Sequence, residues 1–204
     1  MGEYNYGYHG FENYCYPGTD ILINKLNIKN DEQLSKAERD ITRLKLLKLF
    51  QSPVPDKFNF LLLCKIHKTI FEDIYAWAGQ TRQGDFLSKG ASIFCRGSLI
   101  KSSANTIFIN LAGEKYLDNL EKPGFISRMA YYMGEINALH PFREGNGRVS
   151  REFFRQLALH ANYLLDFSLI KKEDLLAADI NAFNGVYDDL ITLLDGAVRN
   201  VKDI

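Results

Sequence analysis

Apolar residues recur at three- and four-residue spacing over several stretches of the chain, which is the pattern of helices with one buried face. A capping-box pattern that starts at Asn30 opens the first stretch, which is predicted to run to about residue 50. Asp56 is expected to cap a second helix that runs to about Trp77. Further helices are predicted at about 98–119, 124–140, 146–160, 172–183 and from 186 to near the end.

The segment from 84 to 97 interrupts this helical pattern. It is rich in glycine and holds two short runs, 85–88 and 91–95, which are separated at Lys89 and Gly90. Glycine supplies the conformational freedom that a tight turn requires. We therefore predict a β-hairpin here, and the predicted fold class is mainly α, a helical bundle with one small β-hairpin.

Length and composition favour one globular domain over residues 1–204, with 46% hydrophobic and 25% charged residues. The 25 basic side chains equal the 25 acidic ones, which argues against direct nucleic-acid binding. Three scattered cysteines without a CxxC pair argue against a disulfide framework and a zinc site. The sequence has neither a signal-peptide pattern nor a run of roughly 18 apolar residues, so we expect a cytoplasmic protein without membrane contact.

One short loop concentrates residues that suit chemistry on phosphates. A predicted helix ends at His140, because Pro141 has no N–H to continue the helical hydrogen bonds, and a new helix starts near Asn146. Gly145 and Gly147 allow backbone N–H groups to approach a ligand closely. Because a helix N-terminus with free amides binds anions, the loop is a candidate phosphate site.

The charged side chains of this loop fit the same interpretation. Arg148 and Arg151 lie three residues apart on one face of the first helical turns, where they can contact phosphate oxygens. Glu144 would be repelled by phosphates unless a cation bridges them, and Mg²⁺ is the usual bridge. His140 offers imidazole, the side chain that titrates nearest neutral pH.

The run HPFREGNGR from His140 to Arg148 resembles the motif of the Fic family, HPFx[D/E]GN[G/K]R, at every fixed position, and Arg151 completes the extended form. YPGTD at 16–20 and AWAGQTR at 76–82 resemble upstream landmarks of the same family. The resemblance covers about residues 16–167 and identifies 140–151 as the active loop. It implies a Fic-type bundle with protein adenylyltransferase activity, which moves AMP from Mg-ATP to a Tyr, Ser or Thr hydroxyl of a target protein and releases pyrophosphate.

The resemblance also assigns roles to residues. His140 would be the general base that takes the proton of the target hydroxyl, and Glu144 would hold Mg²⁺ against the α- and β-phosphates. The nucleotide-binding residues would be Gly145, Asn146, Gly147, Arg148 and Arg151. Among them the asparagine would act through its side chain, and the two arginines would neutralise the β- and γ-phosphates.

The hairpin at 84–97 resembles the flap of the family, which holds a segment of the target beside the active site by strand-like pairing. The target-binding residues would be Phe86, Leu87, Ser88, Lys89, Gly90, Ala91, Ser92 and Ile93. The alternative interpretation is an ordinary surface loop.

The sequence also bears on other reactions and other classes of protein. Gly147 favours AMP transfer, because family members that transfer phosphate carry Lys there; phosphotransfer or another nucleotidyl transfer is the alternative. A P-loop protein is excluded by the lack of GxxxxGK[ST], and a Rossmann protein because the glycines follow a helix rather than a strand. A binding module without catalysis is disfavoured, because His140 and Glu144 are both present.

Many Fic proteins carry an inhibitory helix with the pattern [S/T]xxxE[G/N], whose glutamate pairs with the arginine that corresponds to Arg151. Outside the active motif, the one Glu that precedes Gly or Asn is Glu12, and Tyr8 stands four residues before it. The resemblance therefore implies a toxin that is controlled by a separate small antitoxin, which supplies the inhibitory glutamate near Arg151. The alternative is a secreted effector that is active once delivered into another cell.

Overall fold

The computed structural model describes residues 6–9, 14–84, 86–89 and 92–203. Its helices are α1 (Asp31–Phe50), α2 (Phe60–Phe71), α3 (Ile100–Gly113), α4 (Lys122–Leu139), α5 (Asn146–His160), α6 (Lys172–Phe183) and α7 (Asp188–Ala197). The mainly α fold predicted from the apolar spacing is confirmed. Within the described ranges, no helix combines the length and the apolar character that crossing a membrane requires.

Helix α4 lies at the centre of the bundle and packs against α3, α5, α6 and α7. Neighbours on several sides explain why its apolar residues are almost completely buried: Phe125, Ile126, Met129, Ala130, Tyr132, Met133, Ile136 and Leu139. Helix α5 packs in turn on α2. The loop that joins α4 to α5 is therefore fixed by the core at both of its ends.

The second helix is shorter at both ends than its apolar spacing predicts. Asn59, and not Asp56, is its N-cap, with a side chain that accepts the N–H of Leu62 at 2.9 Å. The helix ends at Phe71 and not near Trp77. The prediction was wrong there because tight turns after the helix keep a similar spacing of buried apolar residues.

The third helix also ends early, at Gly113 rather than near residue 119. Lys115, Tyr116 and Leu117 follow it with φ of 52°, 55° and 64°. These residues lie in the left-handed region and cannot continue a right-handed helix. Propensity gives no warning of this, because none of the three is glycine.

The β-hairpin predicted at 84–97 is confirmed as β2 (Phe86–Lys89) and β3 (Ser92–Ile93). A further strand, β1 (Tyr6–His9), pairs antiparallel with β2, so the sheet order is β1-β2-β3. Strands β4 (Tyr163–Leu165) and β5 (Val198–Asn200) form a second, two-stranded sheet. The sequence did not predict these three strands, because three or four residues are too few to show a clear alternation.

Candidate active site

The loop between α4 and α5 is sharply bent. His140 ends α4 in the left-handed region, with φ 41° and ψ 61°, which is strained for a residue that carries a side chain. Gly145 precedes α5 with φ 84°, a conformation that glycine adopts without this strain. The bend places His140 and the first turn of α5 at the same end of the bundle.

The side chain of Asn146 forms hydrogen bonds with the backbone of the loop. Its Oδ1 accepts the N–H of Phe142 at 2.9 Å, and its Nδ2 donates to the carbonyl of Phe142 at 2.8 Å. Both ends of the side-chain amide are therefore used by the loop backbone. The contact between this side chain and a phosphate stays a prediction, and the observed bonds give the asparagine a part in shaping the loop.

His67 of α2 lies beneath the loop and is fully buried. Its Nδ1 accepts the N–H of Gly79 at 2.7 Å. Because a backbone N–H can only donate, the ring proton sits on Nε2, which donates to the carbonyl of Glu144 at 3.1 Å. The ring also stacks on Phe142, with centroids 4.0 Å apart. The neutral imidazole of His67 thus supports the loop from below, and no motif in the sequence indicates this residue.

Acid is expected to destabilise the fold through His67. Burial lowers the pKa of this imidazole from 6.5 to about 4, although its bond to the Glu144 carbonyl acts the other way. The unfolded chain therefore binds more protons than the folded one between these values, so stability is lost as the pH falls below 6.5 toward 4. From pH 7 to pH 5 the loss from this group should be about 2 kcal/mol in the free energy of unfolding. Urea denaturation at the two pH values measures it.

The matched control for this prediction is His67→Gln, which removes the titrating ring. The difference between the unfolding free energies at pH 7 and pH 5 should shrink by about 2 kcal/mol in the variant. An equal difference in both proteins would show that other groups carry the acid sensitivity.

The ring of Phe71 forms the floor of the site. A Cβ at position 145 would lie 2.2 Å from Cζ of Phe71, so Gly145 is required by space as well as by its φ. The guanidinium of Arg148 lies over the same ring, 4.8 Å from its centroid. One fully buried aromatic side chain thus supports both the loop and the arginine.

Arg148 is held by polar groups of α1. Its Nη2 donates to Oε1 of Glu38 at 2.5 Å and lies 3.4 Å from Oε1 of Glu144, while Nη1 donates to the hydroxyl of Thr42 at 3.3 Å. Tyr75 donates its hydroxyl to the other oxygen of Glu38. Burial, and then the charge of Glu38, raise the pKa of Tyr75, so the phenol stays protonated and donates. Glu38 is a site residue that no sequence motif indicates.

Glu144 presents a partly exposed carboxylate beside the N-terminus of α5. Its Oε1 accepts the N–H of Gly145 at 2.8 Å, and its side chain is 38% exposed. Among the described residues, none donates a hydrogen bond to Oε2. An accessible carboxylate oxygen next to an anion site fits Mg²⁺, which takes one or two carboxylates and completes its shell with phosphate oxygens and water.

Arg151, three residues after Arg148, faces α6. Together with Gly147 and Asp179 it lines a small cleft of about 40 Å³ against α6. The residue is exposed, and within the described part of the chain no hydrogen bond or ion pair engages its side chain. Burial of the guanidinium, and then the charge of Arg148, lower its pKa, while the charge of Asp179 acts the other way. The two arginines of the motif therefore differ, because α1 holds Arg148 while Arg151 is open to a ligand.

The hairpin lies against His140. The ring of Phe94, just after β3, stacks on the imidazole with centroids 3.8 Å apart and planes 19° from parallel. The N–H of Cys95 donates to the carbonyl of Ala138, in the last turn of α4, at 3.0 Å. The hairpin is thereby fastened to the same helix end that carries the imidazole.

The hairpin residues that are predicted to bind a target differ in their exposure. The side chain of Leu87 is 1% exposed, so a target could be contacted there only through the backbone. Ile93 is 63% exposed and open to a partner. Gly90 and Ala91 lie outside the described residues. Target binding by this surface stays a prediction.

Comparison with known proteins gives one consistent family. Residues 57–158 match the Fic/DOC family. The chain is 39% identical to the protein adenylyltransferase VbhT of Bartonella schoenbuchensis over 89% of this chain and 38% of that protein. It is 40% identical to the probable protein adenylyltransferase Fic of Escherichia coli over 80% of each. The crystal structure of BepC from Bartonella tribocorum with bound AMPPNP superposes with a TM-score of 0.87 at 27% identity, covering 94% of this chain and 99% of that one.

The chain belongs to the Fic/DOC family, since the family match extends over half of its length and the whole bundle follows the same fold. It spans 38% of the length of VbhT and 80% of the length of the Escherichia coli relative.

Proposed function

We propose that His140 is the general base of a reaction that transfers AMP from ATP to a Tyr, Ser or Thr hydroxyl of a target protein. The chain is a protein adenylyltransferase, since relatives 34–40% identical over most of it are named as established or probable members of that class. The observation that supports the mechanism is the placement of His140 at the start of the loop that leads into α5, with Phe94 of the hairpin region stacked on its ring.

The reaction is a displacement at the α-phosphorus of ATP. His140 takes the proton of the target hydroxyl while the hydroxyl oxygen forms its bond to the α-phosphorus. The bond from that phosphorus to the oxygen that bridges to the β-phosphate breaks, and pyrophosphate leaves with the electron pair. His140 then releases the proton to solvent.

The N-terminus of α5 supplies the phosphate site. The first N–H groups of a helix have no partner within it, and the helix dipole is positive at this end. Asn146 and Gly147 stand at these first positions. Arg148 and Arg151 add charge-assisted hydrogen bonds where negative charge accumulates on the leaving pyrophosphate, so their contribution grows toward the transition state.

Mg²⁺ would be held by the carboxylate of Glu144 together with the phosphates of ATP. When bound, the ion neutralises phosphate charge and favours departure of pyrophosphate. The N–H of Gly145 donates to Oε1 of Glu144, so Oε2 would be the oxygen available to hold the ion.

Intact-mass spectrometry tests the activity. The purified chain is incubated with Mg-ATP and a bacterial lysate, and the masses of the chain and of candidate targets are compared with a sample that contains chelator. A gain of one AMP that requires Mg²⁺ is expected. A gain of one phosphate would support phosphotransfer instead, and no gain on any protein would contradict the proposal.

We further propose that the protein is a toxin of the bacterial cytoplasm, restrained by a separate antitoxin that places a glutamate at Arg151. This proposal is supported by a difference in ion pairing between the two arginines of the motif. Glu38 forms an ion pair with Arg148, whereas Arg151 is exposed. A carboxylate at Arg151 would compete with the γ-phosphate for the same guanidinium. The alternative is a delivered effector; BepC is a VirB-translocated effector.

Purified alone, the chain is expected to transfer AMP without any activator, because the inhibitory glutamate is proposed to come from another protein. A time course of AMP incorporation measures this. Glu38→Gln is the informative variant, because Glu38 pairs with Arg148 inside the chain. It should be no more active than the wild type, since Arg148 loses its support. A gain of activity would place a brake within the chain and contradict the proposed control in trans.

A further inference from the structure

Arg82 is 3% exposed and directs its guanidinium at backbone carbonyls. Its Nε donates to the carbonyl of His140 at 2.9 Å, its Nη1 donates to that of Gly84 at 3.1 Å, and its Nη2 donates to that of Cys95. Hydrogen bonds from a charged donor are about twice as strong as neutral ones. One side chain thus joins the two ends of the hairpin, 2 and 13 residues away in the sequence, to His140, which is 58 residues away.

The three carbonyls belong to two functional parts of the molecule. Gly84 comes just before β2 and Cys95 just after β3, so they are the two feet of the hairpin. The carbonyl of His140 stands at the C-terminal end of α4, where the negative end of the helix dipole favours a cation. Arginine suits this place because its rigid planar fork reaches several acceptors at once, whereas lysine offers a single charged centre.

The backbone of Arg82 also binds the active loop. Its N–H donates to the carbonyl of Pro141 at 2.8 Å. Two successive carbonyls, those of His140 and Pro141, are therefore held by the same residue. A left-handed conformation at a residue with a side chain persists only where its surroundings determine it strongly, and these bonds supply that constraint.

Close packing between the feet makes the hairpin base rigid. A Cβ at Gly97 would lie 2.3 Å from the carbonyl oxygen of Gly84, the same oxygen that Arg82 binds. The N–H of Phe94 donates to the carbonyl of Leu87 at 3.0 Å, across the hairpin. A displacement at either foot is thus transmitted to the ring that stacks on the imidazole of His140.

We infer that Arg82 is a positioning residue that holds the hairpin and His140 in one fixed relation. A target segment paired with the hairpin then presents its hydroxyl at a constant place relative to the imidazole. The kinetic consequence rests on the proposed function, whereas the coupling between hairpin and helix end is a property of the fold.

Amide hydrogen exchange on the full-length chain tests the coupling without reference to activity. The variants are Arg82→Gln and the charge-retaining Arg82→Lys. The control is Arg199→Gln, at an exposed position on β5, which belongs to the other sheet. In Arg82→Gln the amides of Phe94 and Cys95 should exchange about tenfold faster, while that of Phe153 in α5 stays as in the wild type. Unchanged protection at Phe94 and Cys95, or equal acceleration in α5 in both variants, overturns the inference.

Steady-state kinetics test the consequence for transfer. Arg82→Gln should lower kcat/KM for the target by about tenfold to a hundredfold, because small misplacements of reacting groups have effects of this size. The KM for ATP should change by less than about twofold, since α5 and not Arg82 forms the phosphate site. Arg82→Lys should fall between, and Arg199→Gln should match the wild type. An equal rise in the KM for the target and the KM for ATP would contradict a positioning role for Arg82. If the wild type transfers no AMP, the proposed function is refuted, and hydrogen exchange still tests the coupling between the hairpin and His140.

Discussion

Replacing His140 with alanine is expected to lower kcat for AMP transfer by about a hundredfold to ten-thousandfold, the usual contribution of a general base. The affinity for ATP should hardly change, because the phosphates are proposed to bind the N-terminus of α5 and its arginines rather than the imidazole. Initial rates of AMP incorporation and the Kd for ATP, measured on the same preparations, separate the two effects.

Removing the imidazole also removes its stacking on Phe94, so loss of structure must be separated from loss of chemistry. Free imidazole added to the His140→Ala variant should restore part of the rate, because it can enter the vacated space and accept the proton. Rescue is not expected for a variant whose loop has lost its shape. Transfer by His140→Ala at the rate of the wild type would show that another group is the base.

Gly145→Ala should give the largest loss of stability of any conservative change in the active loop. The added Cβ meets Phe71 at 2.2 Å, and the backbone at this position has φ 84°. Strain at positive φ costs about 1–2 kcal/mol, and overpacking against a buried ring adds about 1–3 kcal/mol. We expect the free energy of unfolding to fall by about 3 kcal/mol and AMP transfer to be lost with it. Urea denaturation and the mass assay measure the two results.

Gly185→Ala is the matched control, because Gly185 has φ 81° but nothing within 4 Å of an added Cβ. It therefore carries the backbone strain without the clash and should cost about 1 kcal/mol. The effects of Gly145→Ala and Phe71→Leu should be less than additive when combined, since the smaller side chain relieves the contact. Equal losses in Gly145→Ala and Gly185→Ala would show that Phe71 does not constrain the loop.

Local patterns were sufficient to predict most of the helices and the position of the loop. The ends of α1 and α5 follow the predicted bounds, because caps, proline and apolar spacing are all properties of neighbouring residues. Three helices were predicted too long: buried turns follow α2, left-handed residues follow α3, and α7 ends at Ala197, where strand β5 begins. The chemistry of the loop was predicted from its motif, because the motif residues are neighbours in the sequence.

The supporting residues of the site could not be predicted in this way. His67 meets the carbonyl of Glu144 across 77 positions of sequence, and Glu38 meets Arg148 across 110. Such pairs are set by how helices pack and leave no periodic trace. Arg82 is an intermediate case, because it lies in the AWAGQTR landmark, yet nothing in that stretch tells which carbonyls it binds.

The contact between Glu38 and Arg148 has a consequence for the smallest autonomous unit of this enzyme. The family match begins at residue 57, after the end of α1. A fragment trimmed to 57–158 would keep every letter of the motif, but it would lack Glu38 and Thr42, which hold Arg148, and also α6 and α7, which cover α4. We expect such a fragment to expose apolar surface and to aggregate. The segment that matches the family is therefore shorter than the folded unit that we expect AMP transfer to require.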